Sequence, residues 1–204
     1  MSFSLYAAYL AACLLIVIVP GPTVTMIVAN SMRFGTRAGL LNVAGTQAGL
    51  AIMIAVVGLG LTSLIAATGH LFEWIRLAGA AYLVWLGWKM FRGAGGGPTD
   101  DRQLARRANF FLQGLVVALS NPKTLLFFGA FFPQFIDPAG HHGLQFLVMG
   151  ITAMVVAAAS DSAYAVVAGR AANALSAERL RLMSRIGGSV LIGGGLWLAL
   201  SRSR

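Results

Sequence analysis

The chain has 204 residues, of which 58% are hydrophobic and only 10% are charged. Soluble domains carry about 25% charged residues, so this chain cannot cover a globular surface with charge and is expected to lie mostly in a lipid bilayer. Fifteen Lys and Arg against six Asp and Glu give a net charge of +9, but these cations lie in short gaps between apolar runs, which indicates cytosolic loops and not a nucleic-acid surface.

Six apolar runs follow one another along the chain, and each is predicted to be a transmembrane helix. They cover residues 3–29, 38–66, 71–91, 109–135, 144–169 and 186–200. A helix needs about 20 residues to cross the hydrocarbon core, and every run except the last approaches or exceeds that length. Open strands would leave backbone groups unpaired in lipid, so helices are expected throughout. The first run has no basic start and no clear cleavage site, so it is expected to be a retained helix and not a signal peptide.

The charges in the gaps between the runs predict the orientation of the chain. The gaps after the first, third and fifth runs are basic, whereas the gap after the fourth, which holds Asp137, His141 and His142, has no Lys or Arg. The basic residues are Arg33, Arg37, Lys89, Arg92, Arg102, Arg106, Arg107, Arg170, Arg179, Arg181 and Arg185. The positive-inside rule therefore places these gaps in the cytosol and both termini outside. The cytoplasmic (inner) membrane is the expected location.

Two polar or proline-containing breaks interrupt the runs at equivalent places. The first run contains Pro20, Gly21 and Pro22, and the fourth contains Asn121, Pro122 and Lys123. A shift of 100 residues aligns Pro22 with Pro122. Three helices in each half make the halves antiparallel, and inverted halves with broken helices are typical of secondary transporters, which bind substrate near the midplane.

The predicted fold is therefore all-α: a polytopic membrane protein with six transmembrane helices arranged as two inverted three-helix repeats. The predicted boundaries are 1–92 for the first repeat, 93–108 for a cytosolic linker and 109–204 for the second repeat. The linker contains the glycine-rich sequence GAGGGP, a composition typical of flexible connections.

The second break has a chemical consequence. Pro122 has no amide hydrogen, so it is predicted to kink the helix and to leave a carbonyl near Ala118 without its helical partner. Such a carbonyl is tolerated in lipid only when it is buried in protein or faces a wet cavity. Asn121 can donate to such a group or to a ligand, and Lys123 can meet an anion. The alternative is a structural kink with a lysine that snorkels to the membrane surface. From its predicted depth near the midplane, however, the Lys123 side chain would have to reach too far.

Asp161 is the only acidic residue well inside an apolar run. It is expected about 13 Å from the cytosolic edge, and intramembrane carboxylates usually pair with ions or carry protons. The alternative is a structural hydrogen bond to a neighbour. Tyr164 lies one turn further along the same helical face, where it can either bind substrate or pack. On straight helices, Asp161 and Lys123 differ in depth by about 10 Å, although a kink at Pro122 could shorten the gap.

Four segments occur in an order that resembles the LysE/RhtB family of amino-acid exporters. They are PGPTVTMIV, GTQAGLAI, AGAAYLVWLGWKMFR and NPKTLLFFGAFFPQF, and the resemblance runs from about Tyr6 to Trp197, with the homoserine/threonine-type branch most similar. It implies export of an amino acid such as lysine, homoserine, threonine or leucine, driven by the proton gradient as in an antiporter.

The resemblance also assigns residues by position. It places substrate binding at Pro20, Gly21, Pro22, Gln47, Asn121, Pro122 and Lys123, and it matches Asp161 to an acidic position of the fifth helix, which is predicted to couple the ion. Tyr164 joins the substrate-binding candidates because it lies one turn from Asp161. The expected partners are an amino acid, protons and the lipid bilayer, and the glycine-rich helices could also support a homodimer.

Other classes of membrane protein fit the sequence less well. An intramembrane enzyme would need a nucleophile with a base or a metal set, but His70, His141 and His142 lie in or beside external loops. Ser120 and Lys123 are the one remaining candidate pair of nucleophile and base, and they are not expected to act as one. No enzymatic activity is therefore expected. A non-transporting scaffold would not need polar groups in lipid, and counterflow would separate a carrier from a channel. The single cysteine, Cys13, excludes an intrachain disulfide and a cysteine metal site, and no cofactor is expected.

Overall fold

A computed structural model of the chain describes residues 2–18, 20–58, 69–93, 109–137, 141–174 and 176–200. These residues form eight α-helices and short π- and 3-10-helical segments. The α-helices are α1 (Phe3–Ile18), α2 (Pro22–Phe34), α3 (Thr36–Gly58), α4 (Gly69–Gly93), α5 (Phe110–Ser120), α6 (Pro122–Leu126), α7 (His142–Ala171) and α8 (Ala177–Leu200). The predicted linker, apart from residue 93, lies outside the described residues.

The described residues contain no strand, so the all-helical prediction is confirmed. Within them, α3, α7 and α8 are each long and apolar enough to cross a membrane. A fourth span results if α1 and α2, which are bent by 49° relative to each other, are taken together. The arrangement of six spans in two inverted repeats stays a prediction.

The last helix begins earlier than the apolar pattern predicts. Its first residue is Ala177, whereas the apolar run starts at residue 186, so Arg179, Arg181 and Arg185 lie on the helix and not in a loop. The Ser176 side chain accepts a hydrogen bond from the Arg179 backbone amide at 3.4 Å. This is the hydrogen bond that an N-cap residue makes. Arg and Glu are good helix formers, so composition favours a helix here although hydrophobicity does not.

Glycines allow the helices of the two halves to pack backbone against backbone. The most extensive helix pairs are α4 with α8 and α3 with α5. A Cβ at Gly87 of α4 would lie 2.5 Å from the Gly188 carbonyl oxygen of α8. On the other pair, a Cβ at Gly45 would overlap the Phe111 carbonyl oxygen. Small residues at such contacts permit the close approach that stabilises helix pairs in membranes.

We expect Gly45→Ala to destabilise the protein, because the added methyl group meets backbone that cannot rotate away. The cost is expected to be at least about 1–3 kcal/mol and to appear as a lower yield and a lower Tm in detergent. Gly143→Ala is the matched control, since no heavy atom lies within 4 Å of a Cβ built there. An unchanged Tm for Gly45→Ala would contradict the observed contact of α3 with α5.

Candidate functional site

The first break separates α1 from α2. The helix α1 ends at Ile18, and α2 begins at Pro22, with Gly21 as an extended N-cap that provides no side-chain hydrogen bond. Proline suits the first helical position because the amide of that position has no helical partner in any case. The first turn of α2 therefore has no side-chain cap.

The second break has the same layout, with Pro122 as the first residue of α6 and Asn121 as its N-cap. The Asn121 side-chain oxygen accepts a hydrogen bond from the Lys123 amide at 3.0 Å. The Asn121 backbone N–H donates to the Ala118 carbonyl at 3.2 Å. The Ala118 carbonyl has no helical partner at Pro122, as predicted, but it is not left without a hydrogen bond, because the Asn121 amide donates to it instead.

The two breaks meet in space. The Asn121 side-chain amide donates to the Thr23 hydroxyl oxygen at 2.7 Å, and the Lys123 ammonium donates to the Ile16 carbonyl of α1 at 2.6 Å. A Cβ built on Gly21 would lie 3.5 Å from Cδ of Lys123. Each break therefore supplies hydrogen-bond partners to the other. Thr23 was not among the predicted site residues, although its place directly after Pro22 is a usable signal.

A cavity lies beside the meeting point of the breaks. Its volume is about 80 Å³. That is several times the roughly 10–15 Å³ that one water requires, so the cavity has room for several waters or a small solute. Its polar lining residues are Thr23, Thr46, Asn121, Lys123, Thr124 and Asp161. Apolar residues, among them Cys13 and Leu50, form most of the remaining wall.

Lys123 and Asp161 bring opposite charges to this cavity. Asp161 is only 6% exposed, and its charge and that of Lys123 are close enough to interact. No described residue donates a hydrogen bond to the Asp161 carboxylate. The estimate from straight helices did not predict that the two groups share one cavity, because the chain bends at Asn121.

The structure thus gathers Gly21, Asn121, Lys123 and Asp161 from the predicted set. Gln47 does not line the cavity. With its amide oriented so that both hydrogen bonds form, the nitrogen donates to the Met154 carbonyl and the oxygen accepts from the Ala158 amide, each at 3.2 Å. Gln47 therefore joins α3 to the backbone of α7.

The remaining predicted residues lie around the cavity and not on its wall. Tyr164 is half-buried and Pro20 is exposed, and neither is a lining residue. Pro22 is buried at the start of α2, and Pro122 faces a different groove, whose walls include Trp197. The prolines therefore shape the breaks, whereas their neighbours face the cavity.

Aromatic rings cover one side of the cavity. Phe127 and Phe128 line it and belong to a π-helix, Phe127–Phe131, which continues into a 3-10 helix, Phe132–Phe135. Behind them, the Phe132 ring lies 5.5 Å from Phe128 and 5.7 Å from Tyr9. Short π-helical turns are rare in proteins overall, but those that occur are often found at functional sites.

A cluster of polar side chains links α2, α3 and α5, and it consists of buried Asn30, buried Asn42 and half-buried Gln113. The Asn30 amide donates to the Asn42 side-chain oxygen at 2.8 Å and to the Gln113 oxygen at 3.1 Å. Asn42 in turn donates to the Phe110 carbonyl at 2.6 Å. This cluster was not predicted from the sequence, although Asn30 and Asn42 stand out as amides at the ends of apolar runs.

Comparison with known proteins identifies the family of this chain. Residues 14–202 match the family model described as LysE type translocator. The chain belongs to the LysE type translocator family. This confirms the resemblance that the four sequence segments indicated, and it makes the chain a member of a family of membrane transporters.

Individual relatives of this LysE-family chain match along its whole length. A homoserine/homoserine lactone efflux protein of Salmonella typhimurium is 35% identical over 206 residues, which cover 99% of both chains. The protein of the same description from Salmonella typhi is also 35% identical. An uncharacterized membrane protein of Vibrio cholerae is 33% identical over the full length of both chains. No solved structure gives a significant match.

We expect Asn121→Ala to loosen the contact between the two breaks of this LysE-family chain. The change removes an N-cap, worth about 0.5–2 kcal/mol, together with the hydrogen bond to Thr23. A double-mutant cycle with Thr23→Val, followed by Tm in detergent, separates the two effects. The pair should be non-additive, and strictly additive Tm changes would contradict a hydrogen bond between Asn121 and Thr23.

Proposed function

We propose that this chain is a secondary transporter that exports an amino acid across the cytoplasmic membrane. The observation that carries the proposal is the cavity beside the two helix breaks, with one cationic and one anionic side chain on its wall. Membership of a translocator family supports it, as do the relatives described as homoserine/homoserine lactone efflux proteins.

A zwitterionic amino acid fits the charges of this cavity. Its ammonium group would lie against the Asp161 carboxylate, and its carboxylate would lie against the Lys123 ammonium and the uncapped first turn of α2. The amino-terminal end of a helix attracts anions through its free amides and its dipole. The hydroxyls of Thr23 and Thr46 can accommodate a small hydroxylated side chain, which favours homoserine or threonine over lysine.

Coupling to protons follows from the burial of Asp161 in this cavity. A buried carboxylate needs a cation or a proton to offset the loss of hydration. The substrate ammonium and a proton would neutralise the same carboxylate in turn, so that one leaves when the other binds. Such competition for a single group makes the carrier an antiporter that exchanges the amino acid for protons.

The packing of the helices supports the two inverted repeats, 1–92 and 109–204, joined by the linker 93–108. Both breaks place a proline at the first position of the following helix. Across the halves, α3 packs on α5 and α7 packs on α1, while α4 and α8 form the largest pair. Equivalent helices of two repeats related by a pseudo-two-fold axis would make such reciprocal contacts.

The proposed orientation, with both termini outside, is tested with single cysteines in a Cys13→Ser background. We expect Gly143→Cys to react with an impermeant maleimide in intact cells, because the start of α7 is external under the positive-inside rule. Ala174→Cys, beyond the end of α7, should react only after permeabilisation. The reverse pattern would contradict the orientation. No heavy atom lies within 4 Å of a Cβ built at Gly143, and Ala174 is exposed.

The transport activity is tested by counterflow into proteoliposomes that contain the purified chain. Vesicles are loaded with unlabelled homoserine, threonine, leucine or lysine and diluted into the labelled form of the same amino acid. We expect transient accumulation of label for at least one of the neutral amino acids. A channel would equilibrate label without accumulation, and a scaffold or an enzyme would give no counterflow in any member of the panel.

A further inference from the structure

Another concave surface lies between α2, α4 and α5, and we call it the basic groove. Its volume is about 430 Å³. It is lined by Asn30, Arg33, Phe34, Trp85, Leu86, Trp88, Lys89, Met90, Arg92 and Gln113. The described lining residues are not shared with the cavity at the breaks, and no described residue of α4, which forms most of the basic groove, lines that cavity. The basic groove is therefore a separate site.

Three cations converge on the basic groove from two helix ends. Arg33 lies in the last turn of α2, and Lys89 and Arg92 lie near the end of α4. None of the described lining residues is acidic. A concave surface with three positive charges and no carboxylate in its lining attracts an anion.

The walls of the basic groove are aromatic and apolar. The Lys89 ammonium lies 5.2 Å from the centre of the Trp85 ring, and the Arg92 guanidinium lies 5.9 Å from that of Trp88. Both tryptophan side chains are 54% exposed. An occupant that covers them needs an apolar part beside its anionic part, which a free inorganic anion lacks.

We propose that the basic groove binds a phospholipid with an anionic headgroup. The phosphate would contact Arg33, Lys89 and Arg92, and the glycerol and upper acyl chains would cover Trp85 and Trp88. Tryptophan is enriched at the headgroup level of membranes, and basic pockets between transmembrane helices on the cytosolic side bind anionic headgroups. The proposal rests on the membrane location of the chain and not on its transport activity.

Native mass spectrometry of the purified full-length chain tests the lipid site. The chain is mixed in detergent with phosphatidylglycerol or phosphatidylcholine, and the fraction with one bound lipid is measured. We expect phosphatidylglycerol to bind more tightly, and we expect Arg33→Gln/Lys89→Gln/Arg92→Gln to raise its Kd about a hundredfold, since each cation near the membrane surface contributes about fivefold. If the triple variant is not recovered as a monodisperse protein, the three single variants should each raise the Kd about fivefold.

The matched control is Arg170→Gln/Arg179→Gln/Arg181→Gln, which removes three exposed charges outside the basic groove. This variant should keep phosphatidylglycerol binding within about twofold of the wild type, because only the charges near the lipid contribute strongly. Equal losses in both triple variants, or equal binding of the two lipids, would overturn the proposal.

Two competitors distinguish the lipid from other occupants of the basic groove. Inorganic phosphate or homoserine at millimolar concentration should leave the bound phosphatidylglycerol in place. Displacement by phosphate would show an anion site without lipid specificity, and displacement by homoserine would show a substrate vestibule. Either result would overturn the proposal. Counterflow of the Arg33→Gln/Lys89→Gln/Arg92→Gln variant is measured in parallel and shows separately whether the transport activity is retained.

Discussion

Asp161→Asn is expected to abolish export against a concentration gradient. The asparagine side chain has nearly the same shape but can neither carry a proton nor neutralise a substrate ammonium. In proteoliposomes with an imposed pH gradient, uphill movement of the substrate should fall to the level of empty vesicles. Counterflow, which needs no net proton movement, should be retained at a reduced level, because the amide oxygen still accepts a hydrogen bond.

The matched control for this charge change is Glu178→Gln, an exposed acid in the first turn of α8. It lies outside the lining of the cavity, so uphill export should continue at the wild-type rate. If Asp161→Asn also exported uphill at that rate, the Asp161 carboxylate would be structural, and the proposed exchange of substrate for protons would be wrong.

Lys123→Met is expected to weaken substrate binding itself. Methionine keeps much of the length of the side chain but loses the charge that would pair with the substrate carboxylate. A hydrogen bond to a charged group contributes about 1.5–3 kcal/mol, so the concentration for half-maximal counterflow should rise by about tenfold or more. The maximal rate of counterflow at saturating substrate should change less than this concentration does.

Lys89→Met is the matched control, since Lys89 and Lys123 are the only lysines in the chain. Lys89 is exposed and lies outside the cavity at the breaks, so its replacement should leave half-maximal counterflow unchanged. Equal shifts in the two variants would mean that net charge, and not contact with the substrate, sets the apparent affinity.

The sequence predicted where the helices break but not what the breaks contact. Proline and glycine inside an apolar run are local signals, so α1 ends before Pro20 and α5 ends before Asn121, as expected. The hydrogen bonds of Asn121 to Thr23 and of Lys123 to Ile16 depend on how the two halves pack. No local pattern reports that packing.

Helical faces were harder to predict than helical segments. Gln47 and Tyr164 lie on helices that border the cavity, but neither lines it. In an apolar helix every face is hydrophobic, so periodicity does not separate the side that faces the cavity from the side that faces another helix. Asp161 was recognised because a carboxylate in lipid is unusual wherever it points.

The measurement that tests the proposed transport site most directly uses the only cysteine of the chain as a reporter. Cys13 lines the cavity at the breaks and is 2% exposed. Because the chain has no other cysteine, the unmodified sequence can be used. The rate at which a small methanethiosulfonate reagent modifies Cys13 is followed at increasing concentrations of the amino acid that shows counterflow. We predict that this amino acid slows the modification, with half-maximal protection at the concentration of half-maximal counterflow, and that Lys123→Met shifts both values together. An unchanged rate of modification at a saturating concentration of a transported amino acid would contradict the assignment of this cavity as the transport site.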